Sequence, residues 1–492
     1  VNKTFCILPF VHMQIKPSGQ MKPCCRFDFH NSEYVQGDTY LFNEFNVALT
    51  SLTSGQNSSI WQDIRNKMIA GENVAGCHKC YKEEGTAGHS MRTYENSLRN
   101  KNNQEQLEDK TLTSPKIQYL EMTFGNYCNL KCRTCNADLS STWWEDENAL
   151  VNTGKYPDRR HYPKTVNIPF NWKPDDFKDV EEIKFTGGEP MVHPDFIKLM
   201  DMLIELDVAK NIKLDIFTNC SWIPGEKYLD RLRKFKKIVL SLSIDGVGKV
   251  NEYVRHPSKW EVVDSAVDSW LKLENENRAN VHIVWNPTIN VYNIFQLNEM
   301  IRWWFSKNNA VNELWMESTV LLNTVMKESE IIPSGKMKLN VLHFPTYLTP
   351  ELLHPDDREG IVADLRGLIQ ELADNSSDKL SKFLIDKLKT DVRNVIAESA
   401  IPTELKKDIS ANIAEYLNLV NVSVEHWYLK ELKIKITKII DILHKKFDYE
   451  ATQPIKHTFV SYTKDLDKMR SESIKECIPE VYMAFKKEFD RE

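Results

Sequence analysis

From residue 116 to about 325 the apolar positions switch period in a repeating way. Runs rich in β-branched and aromatic residues predict strands over 116–124, 182–186, 212–218, 237–244, 281–287 and 313–320. Between them, apolar residues recur at helical spacing over 139–150, 195–208, 226–235, 260–275 and 294–307. Strands alternating with helices predict parallel β/α units, and so an α/β fold. Upstream, "FVHMQI" and "MKPC" flank Gly19, which suits a hairpin turn. After about 326, proline punctuation in "HFPTYLTPELLHPDD" gives way to amphipathic stretches. In one of them Leu429, Leu432, Ile436, Ile439 and Ile440 share a face. Lys430, Lys433, Lys435, Lys438, Lys445 and Lys446 make its polar side basic, a solvated face. The expected division is residues 1–110, 111–325 and a mainly helical 326–492.

Composition narrows the class. Apolar residues are 41% and charged residues 27% of 492, as in a soluble globular protein, and the net charge is −6. That balance gives no global cationic signal, so neither nucleic acid nor a membrane surface is an expected partner. The first residues are broken by polar positions and Pro9, unlike a signal peptide, and no apolar run reaches 18 residues. A cytoplasmic location is expected. Ten cysteines without a secretory signal favour metal or redox chemistry over a disulfide scaffold.

Three of those cysteines sit in "CNLKCRTC": Cys128, Cys132 and Cys135, spaced C-x3-C-x2-C just after the predicted strand 116–124. Thiolates are soft ligands suited to iron–sulfur clusters. Three of them on a four-iron cluster leave one iron open to a small chelating molecule. The competing readings are a zinc site short of a ligand, or buried thiols without a metal. About fifty residues on, "EEIKFTGGEP" runs a strand into Gly187, Gly188 and Glu189. The glycines allow close backbone approach, and the carboxylate can accept from an ammonium. Five more cysteines fall near the start. The hairpin would bring Cys6 to Cys24, and "GCHKC" adds Cys77 and Cys80. Four thiolates suit zinc or a fully ligated cluster, and spacing does not choose between them. Cys25 is an alternative to Cys24.

The C-x3-C-x2-C loop followed by G-G-E-P resembles the radical S-adenosylmethionine (radical SAM) superfamily. Thr134 departs from the aromatic residue often found before the third cysteine. The resemblance implies a partial (β/α)6 barrel and a [4Fe–4S] cluster held by Cys128, Cys132 and Cys135. It implies S-adenosyl-L-methionine on the open iron, cleaved to a 5′-deoxyadenosyl radical that abstracts a substrate hydrogen. Gly187, Gly188 and Glu189 would bind the SAM amine. Strand ends would contribute Thr218, Asn219, Ser241 and Ser243, with Arg255 toward the SAM carboxylate. Asn290 and Asn293 are weaker candidates, and Asp245–Gly246 reads as a turn. The C-x12-G-x4-C opening resembles the SPASM/twitch auxiliary-cluster module, placed here before the barrel instead of after it. With "CYKEEGTAGHSMR" and "LDKMRSESIKECIPE", the chain looks like twitch-domain radical SAM proteins. That implies an auxiliary [4Fe–4S] cluster on Cys6, Cys24, Cys77 and Cys80, and an electron donor such as flavodoxin or ferredoxin. The implied activity is an oxidoreductase or isomerase acting on a peptide or protein side chain. A dehydrogenase or epimerase of a sugar or aminocyclitol is the alternative, and a non-catalytic zinc-stabilised binding protein a third reading. Cys220, near the predicted barrel mouth, reads as a small apolar residue or a hydrogen-atom donor, and Cys477 as structural.

Overall fold

A computed structural model of the chain describes residues 4–32, 34–36, 39–40, 46–107, 115–165, 173–277, 280–307, 336–376, 432–445 and 447–490. The predicted strand 313–320, and Leu429, Lys430 and Lys446, lie outside the described residues. The chain divides into two compact units. One comprises Val1–Asn219, Pro224–Ser241 and Ala279–Val281, the other Cys220–Ile223, Leu242–Arg278 and His282–Glu492.

The first unit is built on a largely parallel sheet. Its strands are β1 (His12–Ile15), β2 (Met21–Lys22), β3 (Tyr119–Met122), β4 (Glu182–Phe185), β5 (Lys213–Thr218) and β6 (Lys237–Leu242). Their order is β6-β5-β4-β3-β1-β2. The β1–β2 hairpin turns at Gly19, whose φ of 81° favours glycine. The sequence predicts the hairpin but not its partner: β1 pairs in parallel with β3, so the N-terminal segment extends the same sheet.

The helices of this unit are α1 (Ser59–Ala70), α2 (His78–Ala87), α3 (Met91–Leu107), α4 (Trp144–Asn152), α5 (Pro194–Glu205) and α6 (Glu226–Leu232). Helix α5 shows why such segments start where they do. Pro194 opens it, the His193 ring accepts from the Asp195 N–H, and Asp195 sits in the first turn. Phe196, Leu199, Met200 and Leu203 form its buried stripe, and Phe196 packs on Phe185 of β4. The face of β4 bearing Ile183 and Phe185 therefore meets the helix, and Glu182 and Lys184 point the other way.

That opposite face carries charge. Cross-strand register aligns Lys22, Gln14, Glu121, Lys184 and Asp215 in one row over β2, β1, β3, β4 and β5. Lys184 Nζ donates to Glu121 Oε1 at 3.4 Å, and Glu121 is only 5% exposed.

In the second unit, β7 (Val281–Trp285) pairs in parallel with β9 (Lys336–Met337), and β8 (Thr288–Ile289) with β10 (Asn340–Val341). Its helices include α7 (Lys249–Val254), α8 (Trp260–Glu276), α9 (297–307), α10 (Pro355–Ser376), α11 (432–443) and α12 (Tyr449–Arg470). Helix α7 is too short for apolar periodicity to reveal. Leu432, Ile436, Ile439 and Ile440 of α11 are buried. The end of α12 is tied to α7 and the loop after it: Tyr253 donates to Asp467 at 2.8 Å, and the His256 ring meets Glu472 at 2.7 Å.

Candidate functional site

The loop after β3 is stitched to itself. Asn126 Nδ2 donates to the Ala137 carbonyl at 2.9 Å, and Ser141 N–H to the Asn126 carbonyl at 2.6 Å. Trp143 Nε1 donates to the Cys132 carbonyl at 2.8 Å, and Cys135 N–H to the same carbonyl at 3.0 Å. Lys131 pairs with Asp146 of α4 at 2.9 Å. Within this frame Cys128, Cys132 and Cys135 are each half-buried.

Burial pushes the Cys128 thiol well up, with Cys132, Glu189 and Cys135 adding negative charge in the same direction. A thiol so placed ligates as thiolate only where a cationic centre supplies the missing charge. Among the described residues, no three His, Cys, Asp or Glu side chains are placed to hold a single metal ion. In a [4Fe–4S] cluster each thiolate binds a different iron, so the sulfurs stand wider apart than around one ion. The donor set of the loop, three soft thiols under one another's electrostatic influence, fits such a cluster.

The G-G-E-P loop leans directly on this one. A Cβ at Gly188 would stand 2.0 Å from the Tyr127 carbonyl oxygen, and Glu189 N–H donates to that oxygen at 2.9 Å. The close approach read from the sequence is thus an approach to the cysteine loop. Gly187 has φ of 93° and faces the Thr123 side chain. Glu189 is buried, and its carboxylate accepts from Met191 N–H at 3.3 Å and Asn219 N–H at 2.6 Å. It is a clamp between the ends of β4 and β5. Asn219 Nδ2 in turn donates to Asn129 Oδ1 at 3.0 Å. Thr218 and Ser241 are buried at their strand ends.

In the second unit Ser243 is half-buried, and Arg255 Nε pairs with Asp245 Oδ2 at 2.9 Å. Asp245 is wholly buried, which raises its carboxyl against the lowering effect of Arg255. It also accepts from Thr288 N–H at 2.7 Å, so the predicted turn residue is a buried anchor. Asn290 and Asn293 use their side-chain amides on the backbone of their own loop and of Asp245. Cys220 is wholly buried with φ of 56°, and Cys477 is half-buried.

The early cysteines converge from three separate segments. Phe5 O accepts from Arg92 and Asn96 of α3 at 2.7 and 2.9 Å, which fixes the stretch bearing Cys6. Phe27 packs over Gly76, and Asp28 N–H donates to the Gly76 carbonyl at 2.9 Å, drawing the Cys24 loop to Cys77. Burial pushes Cys6 up, reinforced by Cys24, Cys77 and Cys80. Burial also pushes Cys24 up to about 12, with Cys25 and Cys80 adding to it. Cys25 is exposed, its sulfur 3.6 Å from Met91 Sδ. Among the charges acting on it, those of Glu121 and Lys184 are the largest. These four thiols act on one another electrostatically, and Cys24 is inside the group.

The sequence reading missed the charged row on β1–β5, and the clamp role of Glu189. Charged residues inside apolar strands, as in "YLEM", "EIKF" and "KLDIF", were the available signal for the row.

Comparison with known proteins places a class on this geometry. Residues 122–287 match the description of the Radical SAM superfamily. That stretch is similar to a superfamily of enzymes that use a [4Fe–4S] cluster and SAM. Over 186 residues the chain is 27% identical to molybdenum cofactor biosynthesis protein 1 of Dictyostelium discoideum, covering 37% of this chain and 26% of that protein. The solved structure "Native anSMEcpe with bound AdoMet and Cp18Cys peptide" has 16% identity and a TM-score of 0.33, over 53% of this chain and 61% of that one. Streptococcus suis SuiB bound to precursor peptide SuiA has 16% identity and a TM-score of 0.27, over 61% of this chain and 60% of that one. The chain spans about a quarter of the curated relative's length. Among the described residues no helix is long and apolar enough to cross a membrane.

Proposed function

We propose that this protein is a radical SAM enzyme with an auxiliary cluster that modifies a peptide or protein side chain by oxidation or epimerisation. One observation carries the reading: within the matched domain, the three-cysteine loop and the G-G-E loop are packed backbone to backbone. Cys128, Cys132 and Cys135 would hold the [4Fe–4S] cluster. When bound, that cluster and SAM supply reductive SAM cleavage to a radical able to abstract a substrate hydrogen. Gly187 and Gly188 would offer backbone to the SAM amine, with the Glu189 carboxylate keeping their loop in place. Thr218, Asn219 and Ser241 of the first unit are the further SAM-side residues that the family resemblance suggests. Cys6, Cys24, Cys77 and Cys80 would hold the auxiliary cluster, which would accept the electron that the substrate radical must lose in a net two-electron oxidation.

The charged row supports a peptide substrate. Four inter-strand steps make it about 19 Å long. That matches about five or six extended residues. Glu121 Oε2 is buried without a hydrogen-bond partner, a cost that a substrate donor would relieve. Ten cysteines suit a reducing cytoplasm, and an electron donor such as flavodoxin or ferredoxin would supply the electron.

The test is anaerobic incubation with SAM, dithionite and candidate peptides deuterated at side-chain carbons. Deuterium in 5′-deoxyadenosine identifies both chemistry and position. Zinc in place of labile sulfide in anaerobically purified protein would sink the enzyme reading.

A further inference from the structure

The structure assigns Asn219 a second role: we propose that it is a positioning residue for the catalytic cluster, setting its electron affinity through an N–H aimed at the Cys128 sulfur. The inference rests on the cluster reading above. Its geometry is set by three residues of the first unit. Glu189 takes the Asn219 backbone N–H at 2.6 Å, which fixes where the side chain starts. The amide nitrogen has two N–H groups. One is taken by Asn129 Oδ1 at 3.0 Å; Nδ2 also lies 4.0 Å from Cys128 Sγ. Leu130 N–H reaches the same sulfur at 3.5 Å.

A bond to a neutral thiol at 4.0 Å is weak. It strengthens when the acceptor is a charged thiolate, as on a cluster. Hydrogen bonds to cluster sulfurs are among the factors that set potential. Each cluster reduction adds one electron and one negative charge. A donor at Cys128 stabilises that charge and raises the potential, whereas the buried Glu189 carboxylate near the same sulfur works against it. Asn219 thus offsets the charge of the clamp that holds it. The G-G-E carboxylate gains loop packing at a cost in reducibility, and the adjacent amide restores part of it.

The experiment is a redox titration of the full, reconstituted holoprotein under anaerobic conditions, followed by electron paramagnetic resonance. The signal that changes on adding SAM identifies the cluster being titrated. Asn219→Leu keeps the side chain's size and the backbone anchor but removes the donor. Its midpoint should fall by a tenfold change in the oxidised-to-reduced ratio at fixed potential, about 59 mV for one electron. Asn219→Asp should fall further, because it places a charge there. Asn129→Ala releases the amide without deleting it and should lower the midpoint by less. Should Asn219→Leu fail to hold its cluster, Asn129→Ala decides the matter. An unmoved midpoint in a variant with wild-type iron and sulfide content overturns the assignment and leaves the radical SAM reading intact. A wild-type protein with no SAM-responsive signal overturns both.

Discussion

The two thiol groups of the first unit reach similar surroundings by opposite routes. Cys128, Cys132 and Cys135 come from eight consecutive residues, and their loop is held by its own carbonyls and by the first turn of α4. Cys6, Cys24, Cys77 and Cys80 come from three segments, assembled by a hairpin, an Arg92–Asn96 clamp and the Phe27–Gly76 contact. The first group offers three thiols beside a buried carboxylate, the second four thiols whose main neighbours are one another. Three ligands leave room for a reacting molecule, and four do not. The proposed division, catalysis at the local loop and electron handling at the assembled site, rests on that contrast.

The largest expected effect tests that division. Cys132→Ala should reduce 5′-deoxyadenosine formation to the rate seen without protein, as measured by chromatography. Cys77→Ala should retain SAM cleavage while product formation falls at least about tenfold, about 1.4 kcal/mol in barrier height. Full product formation by the Cys77 variant would remove the redox role proposed for the second group.

Next is the seam between the three-cysteine loop and the G-G-E loop. Gly188→Ala drives a methyl into the Tyr127 carbonyl, which is backbone and cannot swing aside. It should destabilise the first unit by about 3 kcal/mol. Gly360→Ala, in α10 with nothing within 4 Å of the added carbon, should instead stabilise the chain by about 0.5–1 kcal/mol. Urea unfolding of both variants checks the pair, and equal effects would mean the seam is not rigid.

Legibility in the sequence followed the same division. The cysteine loop stood out because its three thiols are neighbours in the chain and its strand is strongly apolar. Strands 182–186 and 212–218 were found within a residue of their ends, since turn residues and alternation mark them. The parallel pairing of β1 with β3 was not readable, because four-residue strands carry no record of their partner. Cys24 and Cys25 were indistinguishable by residue type and separate only on burial. The reason for Gly188 was read as ligand approach, although its tightest neighbour is the chain itself.

A smaller effect probes the charged row across β2, β1, β3, β4 and β5. Glu121→Gln keeps shape and a neutral acceptor but loses the charge. SAM cleavage without substrate should be unchanged, while deuterium transfer from a peptide substrate should fall about tenfold, in line with about 1.5 kcal/mol for a hydrogen bond to a charged group. Loss of both would place Glu121 in the fold's support and not in substrate recognition.

The smallest effect concerns β1, the strand that joins the N-terminal segment to the sheet. His12 is wholly buried, its Nδ1 2.8 Å from the Pro23 carbonyl and its ring 4.4 Å from Tyr119. Burial lowers its pKa from 6.5 to about 3; Arg99 and Lys184 push the same way, and the Pro23 carbonyl and Glu182 oppose. Because the folded value is the lower one, the unfolded chain binds the extra proton between those limits. The His12 contribution is therefore fully present above pH 6.5 and is lost as pH falls toward 3. The slope is about 1.4 kcal/mol per pH unit. Replacing His12 by Gln removes that slope, so urea midpoints of wild type and variant should converge as pH drops from 7 to 5. If they instead fall in parallel, acid sensitivity lies elsewhere, and β1 is not the point where protonation detaches the four-thiol group from the sheet.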